Sequence, residues 1–408
     1  MSGKNLVILG GGTAGSMVAN RLIGTLDGWT ITVVDRSDIH YYQPGYLFIP
    51  FGMYSPEDVY KQMDSLLDPR INLVYAAVEA VIPERNEVTL RDGSVLAYDA
   101  LVIATGTDIE PSAIDGLLDA GWYTDIFDFY SFEGAVALED RLKHFTHGRL
   151  VVSMPNTPVK GPLAPLEFAF LADAYFTERG TRHLIDIVYT MPTQRVTPPQ
   201  LAADKLEGLA AERGIHLVRG FEMAAVDGAR AELVSAEGER LPYDLLTVVP
   251  PNYGASFVET SGIGDALRYI PTDPYTLQAA AAPNIFVVGD ATDIRTAKGG
   301  SVAHYQLEVL VENLLATING HPPPARYDGH ANCFVETGNG KGILLDFDYE
   351  NEPMPGNYPF PSVGPMRLLE ETRMNHMGKM AFRWIYWNLL VRGKDIPVIP
   401  HALNMDAR

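Results

Sequence analysis

A short apolar run, Asn5 to Leu9, stops abruptly at Gly10-Gly11-Gly12-Thr13-Ala14-Gly15, and a helix-forming stretch begins at about Ala14. No other feature limits the fold as strongly. Three glycines at this spacing have separate jobs. The first permits a tight turn, the second lets the backbone approach a pyrophosphate, and the third lets helix pack on strand. Free N–H groups and the dipole at the helix N-terminus then favour an anion. A second strand, Thr30 to Val34, ends on Asp35, twenty residues past Gly15, where a carboxylate can accept ribose hydroxyls. The register predicts a βαβ dinucleotide unit with Gly10, Gly12, Thr13, Ala14 and Gly15 at the pyrophosphate and Asp35 at the ribose. Arg36, Gln43 and Pro44 follow as further candidate cofactor contacts.

Composition narrows the partners. Asp plus Glu number 51 against 31 Lys plus Arg, a formal net charge of -20. A surface this negative repels a phosphate backbone, so nucleic acid is not expected as a partner. Cys333 is the single cysteine, which excludes an intramolecular disulfide framework and a cysteine-rich zinc site. The histidines are scattered, and no metal site is expected. The N-terminus lacks the apolar segment of a secretory signal, and no run approaches the roughly 18 apolar residues of a spanning helix. The expected location is cytoplasmic.

Farther along, Tyr41 to Gly52 reads as an aromatic, Pro/Gly-rich loop, and Tyr98 to Ala104 as a buried strand ending in Thr105-Gly106. A second α/β unit begins near Asp108, with a helix over 132–145, a strand over 149–154, a helix over 166–179 and strands over 184–189 and 245–249. Asn284 to Val288 is a strand ending in Gly289-Asp290, and a helix follows from about Val302 to Leu315. His321-Pro322-Pro323-Pro324 is the clearest linker. The fold class is α/β: two Rossmann-like units plus a C-terminal region. The expected domains are 1–107 with 272–330 (discontinuous), 108–271, and 331–408.

The second unit lacks a glycine fingerprint. Pro155 to Pro165 carries four prolines in eleven residues. Proline offers no N–H, so this turn cannot form an amide cradle for a second dinucleotide. Electrons are therefore not expected from a pyridine nucleotide.

Ile103-Ala104-Thr105-Gly106 and Val287-Val288-Gly289-Asp290-Ala291 resemble, in family order after the first glycine motif, the returning segments of two-dinucleotide flavoproteins. The resemblance implies FAD, with Thr105, Gly106, Gly289 and Asp290 among its contacts. Met154 to Lys160 with Ala164-Pro165-Leu166-Glu167, Tyr327 to Cys333, Leu345 to Tyr349, and Tyr386-Trp387-Asn388 with Arg392-Gly393 are similar to the sulfide:quinone oxidoreductase family across nearly the whole chain. That family oxidises sulfide at a cysteine pair beside FAD and passes two electrons to a membrane quinone. The resemblance implies that Cys333 is the second cysteine of the pair, while Gly161 stands where the first would be.

With one thiol, Cys333 would act alone as a thiolate, and an external thiol or polysulfide would take the second role. The resemblance also places Lys298 near the flavin pyrimidine end and the quinone, and Glu167 near the sulfur site as a proton acceptor. The C-terminal stretch, about Met374 to Val391, is apolar, aromatic, basic and free of acids, which fits an interfacial helix on a membrane surface. Phe382, Tyr386 and Trp387 are its candidate quinone and membrane contacts, and it would be removable with FAD left bound. A homo-oligomer is possible. The alternatives are a quinone reductase with another donor, such as a type II NADH dehydrogenase, or a non-catalytic sulfur- or redox-sensing flavoprotein.

Overall fold

The computed structural model describes residues 3–119, 121–156, 158–360 and 363–396. Its helices are α1 (Thr13–Leu22), α2 (Phe132–His144), α3 (Ala164–Glu178), α4 (Gln200–Glu212), α5 (Phe257–Thr260), α6 (Gly300–Ile318) and α7 (Arg373–Ile385).

The first sheet is parallel, with strands in the order 285–287, 100–103, 4–9, 29–35 and 72–75. Leu6, Val7, Ile8 and Leu9 are buried on both faces, as a parallel sheet covered on two sides requires. The chain runs outward from 4–9 to 72–75 and then returns to the other side of 4–9. This switch point lies beside the strand that feeds the glycine turn, the place where open α/β sheets bind ligands. The second sheet repeats the plan in the order 126–127, 245–248, 148–153, 185–191 and 215–219. Each unit also carries a three-stranded antiparallel insert, at 78–97 in the first and 223–242 in the second. Two antiparallel crossing segments, Thr107–Ile109 and Asn252–Gly254, join the units.

Local differences from the sequence reading have tertiary causes. Gln43–Phe51 winds as a 3-10 helix rather than an open loop, because Tyr46, Leu47, Phe48 and Ile49 bury their side chains in the core. Helix α1 ends at Leu22, short of Leu26. Helix α4 and the second insert add to the elements expected from the sequence.

Beyond the linker, Ala331–Gly338 and Lys341–Phe347 form a hairpin. Its turn residues, Asn339 at φ 54° and Gly340 at φ 66°, occupy the left-handed region that a two-residue hairpin turn needs. Helix α7 packs on this hairpin. Thr372 caps it by accepting from Asn375 N–H at 3.1 Å, and buried Asn375 donates to the Arg367 and Glu370 carbonyls. Two of its basic side chains reach tertiary partners here: Lys379 pairs with Glu167 of α3 and donates to Phe334 O at 2.8 Å, and His376 meets Glu336 at 2.9 Å.

This pairing makes a stability prediction. Glu167→Leu strands the Lys379 ammonium in a nearly closed site and should destabilise the protein by about 3–5 kcal/mol. The double variant Glu167→Leu/Lys379→Met should recover most of that loss. Urea midpoints of the two variants check the claim, and equal midpoints would refute it.

Candidate active site

The glycine turn is shaped by close approaches that only hydrogen tolerates. Gly10 has φ 95°, and a Cβ there would lie 2.5 Å from Ala104 O. A Cβ on Gly15 would lie 1.8 Å from Gly10 O. A Cβ on Gly12 would meet no atom within 4 Å, so this residue keeps clear the space above α1. The N-terminus of α1 has no side-chain cap and no acid in its first turn, which leaves its N–H groups for an anion. Asp35 accepts from Gly11 N–H at 2.7 Å and Ser37 N–H at 2.9 Å, which holds its carboxylate at the end of the second strand. Arg36 pairs with Asp108 at 2.5 Å.

The distant segments converge here. Gly289 lies against Ala14, and Gly300 at the head of α6 against Thr13. The buried hydroxyls of Thr105 and Thr107 have no hydrogen-bond partner among the described residues. A cleared turn, an uncapped helix and unpartnered hydroxyls fit a dinucleotide.

At the far end, Lys298 Nζ donates to Asp290 O at 3.0 Å and Thr292 O at 2.7 Å, and lies 4.5 Å over the Tyr269 ring. Lys298 therefore serves first as a clamp on the Gly289–Ala291 turn, with one of its three protons to spare. The Asp290 carboxyl is walled by protein, and burial pushes its pKa above the usual range against the pull of Lys298 and Lys160. Burial likewise lowers Lys160. Lys160 reaches a cavity of about 180 Å³ that is also lined by Gln43, Tyr46, Thr107, Asp108 and Tyr130. Pro44 starts the adjoining 3-10 helix.

The loop after the strand 148–153 turns its amides onto protein. Lys160 N–H donates to Asn252 Oδ1 at 3.0 Å, Gly161 N–H to Lys298 O at 3.0 Å, and Ala164 N–H to Gly161 O at 2.9 Å. Tyr130 donates to Gly161 O at 3.0 Å. Thr157 of this loop lies outside the described residues.

Cys333 sits on the hairpin strand that packs against α3, within the electrostatic reach of Glu167 and Lys379. Its surroundings disfavour the thiolate form. Burial pushes the thiol up to about 12, the Glu167 charge adds to this, and Lys379 opposes it. Glu167 is itself buried, and its carboxylate accepts from Glu336 N–H at 2.7 Å as well as from Lys379.

The expectation that Tyr386 and Trp387 face a membrane is corrected. A π-helical turn, Tyr386–Leu390, ends α7 and swings both rings into the core of the first unit. Tyr386 packs 4.7 Å from the Tyr42 ring, and Trp387 edges onto His40. Phe382 is half-buried on the same side. The outward apolar residues of α7 are instead Met374, Met377 and Trp384. The buried rings belong to the first unit's core, so removing the segment would expose that core.

Lys160, His40, Lys379 and Gly300 were not singled out from the sequence. Lys160 stood inside a motif, but His40 and Lys379 gain their surroundings only from chain segments far away.

Sheet topology and glycine turn define a flavoprotein oxidoreductase of the two-dinucleotide class. The chain belongs to the pyridine nucleotide-disulphide oxidoreductase family, whose profile matches residues 4–307, and it is an FAD-dependent enzyme. It is similar to a mitochondrial sulfide:quinone oxidoreductase of Mus musculus, 26% identical over 394 residues, covering 95% of this chain and 86% of that one. A Schizosaccharomyces pombe protein named likewise is 28% identical over 417 residues, covering 95% and 90%. The fold matches the crystal structure of the sulfide:quinone oxidoreductase from Aquifex aeolicus with a TM-score of 0.81 at 20% identity, covering 97% and 93% of the two chains.

A thiol held near 12 is almost wholly protonated at neutral pH, and the thiolate is the form that alkylates. Iodoacetamide labelling of Cys333 should therefore be slow at pH 7.5 and climb about tenfold per pH unit up to at least pH 10. A plateau near pH 8 would show an ordinary, solvated thiol.

Proposed function

We propose that this enzyme takes two electrons from sulfide, or a related small sulfur donor, and passes them to a membrane quinone. The observation that carries this reading is the seating of the Lys160-Gly161 loop. The Lys160 and Gly161 amides are committed to Asn252 and Lys298, which supports a turn that offers no amide cradle to a second dinucleotide. The names of the full-length relatives from Mus musculus and Schizosaccharomyces pombe support sulfide and quinone as the partners.

FAD supplies the two-electron chemistry when bound. Among the protein's own groups, Cys333 is the sulfur-accepting side chain, and Glu167, whose charge acts on that thiol, is the candidate proton acceptor. Gly161 brings no partner thiol, so an external thiol or polysulfide completes the sulfur transfer. At Gly161 a Cβ would have room, its nearest neighbour being Ala164 Cβ at 3.8 Å, but φ is 55° and disfavours any side chain. Lys160 places a cation in the cavity beside this loop, suited to an anionic donor such as hydrosulfide.

Among the described residues no helix is long and apolar enough to cross a membrane. The exposed face of α7, with Trp384 at 62% and Met377 at 60%, fits contact with a lipid surface, where quinones dissolve. This gives a peripheral location.

Mixing the oxidised protein with sulfide in a stopped-flow instrument should bleach the flavin, whereas NADH should do so poorly. Cys333→Ser should lose the sulfide reaction. Rapid bleaching by micromolar NADH would favour a type II NADH dehydrogenase instead, and an unaffected serine variant would reduce the cysteine to packing. The lipid contact is tested separately. Met377→Ser/Trp384→Ser should fall away from quinone-containing vesicles in flotation while keeping its flavin. Undiminished flotation would remove α7 from the membrane assignment.

A further inference from the structure

The C-terminal turn is joined to the dinucleotide turn by a chain of short hydrogen bonds whose direction can be derived. His40 is 1% exposed, and its Nδ1 lies 2.9 Å from Gly11 O. A carbonyl only accepts, so Nδ1 carries the proton. Burial lowers the His40 pKa to about 4, so the ring is neutral and Nε2 is an acceptor. Tyr386 Oη, 2.6 Å away, must therefore donate to Nε2. Its oxygen is left to accept, and Thr13 Oγ1 lies 2.7 Å from it as the donor. The chain runs from Thr13 to Tyr386 to His40 to Gly11, so both of its ends land on the glycine turn.

The surrounding packing makes this an anchored brace. The backbone beyond the π turn lies on α1: Asn20 Nδ2 donates to Val391 O at 2.7 Å, and a Cβ on Gly393 would lie 2.7 Å from Arg21 N. Ser16 adds a second donor to Gly11 O at 2.8 Å. The carbonyl of Gly11 and the side chain of Thr13 are thus gripped from behind, on either side of Gly12. Thr13 spends its hydroxyl proton on the tyrosine, which leaves the backbone N–H groups of the first helical turn as the donors held ready for the pyrophosphate.

We propose that Tyr386 is a positioning residue of the FAD site: its hydroxyl, acting through Thr13 and His40, holds the glycine turn in its binding geometry, so that FAD retention depends on the docked C-terminal turn. The proposal concerns cofactor binding and is independent of the electron donor.

The test follows FAD release after dilution of the holoenzyme, by flavin fluorescence, in a double-variant cycle. Tyr386→Phe keeps the ring packing but leaves the Thr13 proton and the His40 lone pair without partners in a closed site. It should release FAD about tenfold faster, equivalent to about 1.4 kcal/mol. Thr13→Val should do the same, Thr13→Ser should behave as the parent, and the double variant should be no worse than either single one. Coupled groups are non-additive in this way, whereas independent contributions add. Parental release in Tyr386→Phe, or additive losses in the double variant, would overturn the proposal. Should Tyr386→Phe fail to accumulate, His40→Gln with Thr13→Val closes the same cycle and is read by the same two outcomes.

Discussion

The approach of Gly15 to the carbonyl of Gly10 sets the geometry on which the site depends. A methyl group at that position would overlap the carbonyl oxygen, so α1 can cross the first strand at this spacing only without one. The close crossing points the uncapped end of α1 at the switch point of the sheet. It also brings the returning segments at Ala104 and Gly289 within van der Waals reach of the turn. From there α6 starts beside Thr13, and the hairpin carrying Cys333 follows from the end of the linker.

The two Rossmann-like units share a plan but not a chemistry. In the first, the turn after the central strand is cleared by glycine and keeps its amides for a ligand. In the second, the equivalent turn is rich in proline, and the amides of Lys160 and Gly161 bind Asn252 and Lys298. The same framework therefore yields a cofactor site in one unit and a domain contact in the other. Gly161 lies in that contact, with its N–H and C=O both used.

Much of this was legible in the sequence. The first dinucleotide turn was readable because turns at the ends of parallel strands obey local rules of glycine and helix capping, and the resemblance of the later segments to flavoproteins pointed to FAD. The acid-free composition of 373–394 suggests a lipid-facing surface, but it hides partners that lie far away in the chain. Lys379 and Arg383 have acidic partners, but these are Glu167 and Asp58, more than two hundred and three hundred residues away in the chain. The inward turn of Tyr386 and Trp387 was equally invisible. A π turn shifts side-chain direction without a mark in the hydrophobic pattern, and the ring pocket is formed by His40 and Tyr42.

The sequence by itself determined what depends on neighbours along the chain: the glycine turn, the acid at the end of the second strand, the blocked second turn and the solitary Cys333. The tertiary structure alone decided which groups are charged and which way side chains face. Burial and distant partners set those properties. Desolvation beside Glu167 raises the pKa of Cys333, and the carbonyl of Gly11 fixes the proton of His40. The docking of one turn from the end of the described chain places a tyrosine hydroxyl on Thr13. No local pattern encodes these, because the field at each atom is the sum of contributions from chain segments that meet only when the protein folds.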